Sequence, residues 1–297
     1  MSRLLLMLAL IAGAVTALAS PAAAEPIDQP SWAERKRFVA LPNGLRMAYV
    51  ELGNPDGPAL LLLHGYTDSS RVWTLLAPYL EDHRILIPDQ RGHGASDAPA
   101  CCYSMSQFAD DARLFLDAMH VERAAVAGHS MGSMVAQVLA AEHPERVDRL
   151  VLIGSTALAP VTRGNWMWTN IMALREPIAA NAEFLRQWGP AGSPTSVDPQ
   201  LTRYYEPEIA ATQPHVWRSV LREFLDVPVA RFAQDVRAPV LVLSGGRDEI
   251  FPAEHHRALV RAYHGAREHV FEELGHNLIL ERPEEVGPVL AAFLRAQ

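Results

Sequence analysis

Ala124-Ala125-Val126-Ala127-Gly128-His129-Ser130-Met131-Gly132-Ser133-Met134-Val135-Ala136-Gln137-Val138-Leu139-Ala140-Ala141 is the stretch on which the reading of this chain turns. Its first four residues form a short apolar strand candidate. From Met131 onward it is rich in helix formers and is stopped by Pro144. Ser130 therefore occupies a sharp strand-to-helix turn, in a backbone conformation few residues tolerate. Glycines two positions before and two after it remove the side chains that would collide as the chain reverses. The hydroxyl is lifted above the sheet at a helix N-terminus, where backbone N–H groups face developing negative charge. The pattern predicts a serine nucleophile.

Outward from this turn, strands and helices alternate. Arg37 to Leu41 and Leu45 to Glu51 read as hairpin strands around the turn Asn43-Gly44. Ala59 to Leu63 is an unbroken apolar run, as expected of a strand buried on both faces. A helix is predicted over Val72 to Leu80, a strand over Arg84 to Pro88, a helix over Ser106 to Met119 and a strand over Arg149 to Ile153. The alternation resumes with a strand at Pro239 to Leu243, a helix at Ala253 to Tyr263, a strand at Glu268 to Glu273 and a helix at Pro283 to Arg295. This order predicts an α/β fold with a mainly parallel sheet and helices on both faces.

Between the two halves, residues 156–227 break the pattern. They hold Trp166, Trp168, Trp188 and Trp217 and are punctuated by prolines, which reads as a helical cap over the carboxyl edge of the sheet. The core is expected to comprise residues 25–155 and 228–297.

In such sheets chemistry gathers beyond the carboxyl ends of the strands. A serine hydroxyl needs a neighbouring base, and the base needs a third group to orient it. Asp248 follows the strand ending at Leu243, and His276 follows the strand ending at Glu273. Serine, acid and histidine thus lie at three different strand ends. Glu249, Asp226 and Asp235 are off position for the acid. His255, His256, His264 and His269 fall on elements or at their ends. An oxyanion needs two donors, predicted to be the N–H groups of Met131 and of Tyr66, in the loop His64-Gly65-Tyr66. Trp166, Trp168, Trp188 and Trp217, with Met134, Met167 and Met172, would wall an apolar pocket or form the cap's own small core.

Bulk properties narrow the field. Met1-Ser2-Arg3, the apolar run Leu4 to Leu18 and Ala22-Ala23-Ala24 read as a secretory signal peptide over residues 1–24. Losing Arg3 takes the formal charge from −8 to −9. The one basic cluster, Arg35-Lys36-Arg37, reads as a solvated strand end, so nucleic acid is not an expected partner. No stable membrane insertion is expected after signal cleavage. Cys101 and Cys102 are adjacent, so a bridge between them would be strained given the usual Cα separation of about 4.4 to 6.8 Å, and the sequence leaves their redox state open. No metal-ligand spacing such as H-E-x-x-H occurs, and neither metal nor cofactor is expected.

With these residues in view, the chain resembles the α/β-hydrolase family, specifically its capped esterase-like and cofactor-free haloperoxidase-like members. The resemblance covers the His64-Gly65 loop, the segment Asp89-Gln90-Arg91-Gly92-His93-Gly94-Ala95-Ser96-Asp97, the Ser130 turn, the Asp248 loop and Gly275-His276. It implies that the Asp89–Asp97 segment shapes a loop near the pocket, with no catalytic role for His93 or Asp97. Serine at position 130 sets the chain apart from haloalkane dehalogenases and epoxide hydrolases, which carry aspartate there. The expected activity is hydrolysis of a small-molecule carboxylic ester with an apolar part. Perhydrolysis, lactone, thioester or carbon–carbon bond cleavage on the same triad, and ligand binding without catalysis, are the alternatives.

Overall fold

Five leucine and alanine residues without a polar break, Ala59–Leu63, form the strand at the heart of an eight-stranded sheet. The computed structural model describes residues 27–159, 161–189, 193–225 and 229–296; the stretch 1–24, read above as a signal peptide, lies outside them. In chain order the strands are β1 (Arg37–Ala40), β2 (Arg46–Gly53), β3 (Ala59–Leu63), β4 (Arg84–Pro88), β5 (Ala124–His129), β6 (Val147–Ile153), β7 (Val240–Gly245) and β8 (Arg267–Phe271). Their spatial order is β1-β2-β4-β3-β5-β6-β7-β8. Only β1–β2 and β2–β4 pair antiparallel; the other neighbours are parallel. Gly44 closes the first hairpin at φ +87°, a conformation that glycine adopts without strain.

The helices are α1 (Met105–Ala118), α2 (Met131–Glu142), α3 (Trp166–Met172), α4 (Ala182–Gln187), α5 (Pro199–Ala211), α6 (Pro214–Glu223), α7 (Ala253–Ala262), α8 (Leu278–Glu281) and α9 (Pro283–Arg295). Leu60, Leu61, Leu62 and Leu63 are fully buried, as are Val126 and Leu150 to Ile153 on neighbouring strands. Each such side chain stabilises the fold by about 1.5–3 kcal/mol relative to exposure. Helices α3 to α6 fill the interval between β6 and β7. Helix α6 buries Val216, Trp217, Val220 and Leu221, one apolar stripe at helical spacing. The interval leaves the sheet undisturbed, since Leu150 to Ile153 pair in register with Val240 to Leu243 across it.

Three local expectations need correction. The helix expected over Val72 to Leu80 is two 3-10 turns, Ser70–Trp73 and Ala77–Leu80. Pro78 cannot donate to the Thr74 carbonyl, and its ring crowds that carbonyl, which disfavours one continuous helix here. Strand β8 ends at Phe271, two residues short of Glu273. Lys36 is no solvated strand end: its ammonium is buried against Asp89 at 2.7 Å. Asp89, fully buried, also accepts the Ser70 and Ala95 amides at 2.8 Å. Those contacts and Lys36 outweigh the effect of burial and hold its pKa below the ordinary carboxylate value. Cys101 and Cys102 are joined to each other by a disulfide.

Candidate active site

Ser130 sits between β5 and α2 with φ 52° and ψ −121°. Such a conformation costs of order 1–3 kcal/mol and persists only where its surroundings over-determine it. Here the Ser130 amide donates to Ile153 O at 2.9 Å, and its carbonyl accepts Ser133 N at 2.9 Å. The two flanking glycines are obligatory by contact. A Cβ at Gly128 would lie 2.2 Å from Gly132 O, and one at Gly132 would lie 2.2 Å from Leu63 O.

The loops after β7 and β8 deliver the two expected partners. His276 Nε2 lies 2.8 Å from Ser130 Oγ, and His276 Nδ1 lies 2.9 Å from Asp248 Oδ2. The other Asp248 oxygen accepts the amides of Ile250 and Phe251 at 2.9 and 2.8 Å, which fixes the carboxylate plane. Burial alone would raise the Asp248 pKa, but the His276 charge and these hydrogen bonds prevail and lower it. A carboxylate only accepts, so Nδ1 of His276 carries the proton and Nε2 is left with its lone pair toward Ser130. Burial works against the charged His276 ring, yet the charge and hydrogen bond of Asp248 dominate and raise its pKa above the ordinary 6.5.

The two residues expected to supply backbone donors share the cavity with the hydroxyl. Met131 is the first residue of α2, and Tyr66 lies in the loop after β3; both line the cavity that opens on Ser130. Among the described residues neither amide donates to a protein acceptor. Gly65 brings this loop against the turn: a Cβ there would stand 3.2 Å from Ser130 Cβ. The loop is anchored by His64, whose Nε2 accepts Gln90 N at 2.9 Å. Nδ1 then carries the proton and donates to Gly65 O at 2.8 Å.

The cavity measures about 1000 Å³. Of the expected wall residues, Trp166 and Trp188 line it, as does Met167. With Phe184 these two indoles form a near-parallel set, with planes within 27° and centroids 5.3–6.3 Å apart. Met134, Trp168 and Trp217 are not among the lining residues. Met134 is fully buried in the interior face of α2. Trp168 packs under the Arg163 guanidinium. Trp217 is fully buried behind the wall, with its ring 5.6 Å from that of Tyr66 and 5.3 Å from that of Trp188. Met172 also stands apart from the cavity.

Four residues next to the site carry no signal in the local sequence pattern. Asp68, buried at the cavity wall, accepts the Gly65 amide at 3.1 Å and the Tyr205 hydroxyl. Burial tends to raise the Asp68 pKa, but the His129 imidazole and the Tyr205 hydroxyl prevail and lower it. Glu281, 3% exposed, accepts the Gly275 amide beside His276 at 3.0 Å. The fourth, His129, precedes the serine. Among the described residues no group of three His, Cys, Asp or Glu side chains is arranged to hold a metal ion, and no helix is long and apolar enough to cross a membrane.

Known proteins resemble the chain as a whole to different degrees. A solved hydrolase structure from Pseudomonas aeruginosa PA01 superposes with a TM-score of 0.78 at 28% identity, covering 89% of this chain and all of that one. An uncharacterized protein of Mycobacterium tuberculosis is 29% identical over 271 residues, covering 85% of this chain and 79% of its own. The 3-oxoadipate enol-lactonase 2 of Acinetobacter baylyi is 27% identical over 207 residues, 68% of this chain and 76% of its own. The profile of the alpha/beta hydrolase fold matches residues 58–283, and with that span the chain belongs to the α/β-hydrolase family.

Proposed function

We propose that the protein is an exported serine hydrolase that cleaves a small carboxylic ester with an apolar part. The observation that carries this reading is the continuous line Ser130 Oγ–His276–Asp248, with both contacts under 3 Å. His276 Nε2 takes the Ser130 proton as the oxygen attacks the ester carbonyl, and the amides of Met131 and Tyr66 receive the oxyanion. Asp248 stabilises the imidazolium that forms. The alcohol departs with the proton from His276. Water, activated by the same ring, then releases the acid from the acyl-enzyme. The indoles of Trp166 and Trp188 supply an apolar surface for the substrate.

A cyclic ester is the second reading, favoured by the enol-lactonase among the relatives, since a lactone opens through the same acyl-enzyme. Export rests on the basic start, apolar run and small-residue site of residues 1–24, followed by release into the periplasm or medium.

A fluorophosphonate probe is expected to label the wild-type protein and not Ser130→Ala, which should also lose about 10³-fold or more in kcat on p-nitrophenyl esters. Labelling that survives the substitution would overturn the assignment. A parallel series of linear esters and lactones ranks the two readings.

A further inference from the structure

The loop that carries the Tyr66 amide is held at its two ends by the core and in its middle by the helical insertion. Gln90 fixes His64 at one end: its side-chain amide donates to His64 O at 2.7 Å. At the other end Ser70 N donates to Asp89. Between them, successive residues bond to the insertion. The Tyr66 hydroxyl donates to Trp217 O. Trp188 Nε1 donates to Thr67 Oγ1 at 2.8 Å. Asp68 accepts the Tyr205 hydroxyl. Ser69 Oγ donates to Glu208 at 2.5 Å, and Arg71 donates to the same carboxylate through Nε at 2.9 Å and Nη2 at 2.7 Å. Tyr205 and Glu208 are three apart on α5, so they share the face turned to this loop.

Thr67 shows why the middle of the loop needs holding. It has φ +67°, and a β-branched residue in that region is strained. It directly follows Tyr66, whose amide is the expected oxyanion donor. Asp68 adds a second constraint by gripping the Gly65 amide at 3.1 Å on the other side of Tyr66. Without its contacts to the insertion, the 66–68 segment would relax toward unstrained backbone and turn the Tyr66 N–H away.

We propose that Tyr205 and Glu208 are positioning residues for the oxyanion: acting through Asp68 and Arg71, they keep the Tyr66 amide aimed beside that of Met131. This rests on the serine-hydrolase reading. Docking of the insertion and stabilisation of the oxyanion are then one event. An insertion lifted from the core leaves Ser130, His276 and Asp248 assembled but the oxyanion poorly supported.

The test uses Tyr205→Phe and Glu208→Gln in the full chain, with p-nitrophenyl butyrate as substrate and a phenyl trifluoromethyl ketone as oxyanion analogue. In the ketone adduct Ser130 Oγ bonds to the carbonyl carbon, the π pair moves to oxygen and the proton to His276. Each variant should lose about 10-fold in kcat and bind the ketone weaker by the same factor, with KM within about twofold. Thermal unfolding reports whether each variant is folded, and either folded variant decides the question alone. Unchanged kcat and ketone affinity in a folded variant would overturn the proposal. A wild type that neither turns over ester nor binds the ketone would instead remove the serine-hydrolase reading beneath it.

Discussion

His129 holds the main chain of His276: its Nε2–H donates to the His276 carbonyl oxygen at 2.9 Å. A carbonyl only accepts, so Nε2 carries a proton, while Nδ1 lies 3.9 Å from Asp68 Oδ2. The residue preceding Ser130 thereby anchors the loop of its partner ring. His129→Ala frees that loop while leaving Ser130, Asp248 and the His276 ring chemically intact. The expected outcome is a loss of about 10-fold or more in kcat with little change in KM, measured by steady-state ester hydrolysis. A change confined to KM would assign His129 to substrate binding instead.

The acid limb of the rate profile should report His276, which must be neutral to accept the serine proton. Asp248 stabilises the imidazolium and raises its pKa, so kcat/KM should fall with a midpoint above pH 6.5. Asp248→Asn removes the charge and leaves burial, which opposes the imidazolium. Its midpoint should move below that of the wild type, alongside a loss of about 10⁴-fold in kcat from misorientation of the ring. An acid limb that stays in place in this variant would mean that another group governs it.

His93 links stability to pH with a definite sign. It is 1% exposed, its Nδ1 lies 2.8 Å from Arg91 O, and burial pushes its pKa down to about 3. The unfolded chain titrates near the ordinary 6.5, so between these values it binds one more proton than the native state. This contribution is fully present above pH 6.5 and declines as pH falls, by about 1.4 kcal/mol per unit. His93→Gln should flatten the acid side of unfolding free energy against pH by up to one proton, measured by urea titration from about pH 4 to 6. An unchanged slope would show that His93 does not titrate differently in the two states.

What was legible in the sequence was the part carried by local pattern. The alternation of apolar runs gave the strand succession, and the strand-ending loops pointed to Asp248 and His276 before any distance was known. The failures have equally definite causes. Pro78 broke a helix that apolar spacing alone had suggested. Lys36 looked solvated because its partner Asp89 lies 53 residues away. Residue type left Trp217 and Met134 open between pocket wall and packed core, and both side chains are fully buried away from the cavity lining. Asp68 and Tyr205 are 137 residues apart, so nothing near either one announces the bond between them.

Because β6 and β7 pair in register, the segment joining them interrupts no part of the open sheet beneath. That modularity invites engineering by wholesale exchange: a foreign lid could bring a new substrate range to the same chemistry. The exchange has a hidden requirement, however. On the proposal above, a graft that lacks a phenol over Asp68 and a carboxylate over Arg71 would inherit Ser130 yet lose about 10-fold or more in turnover, so transplants should carry those two contacts with them.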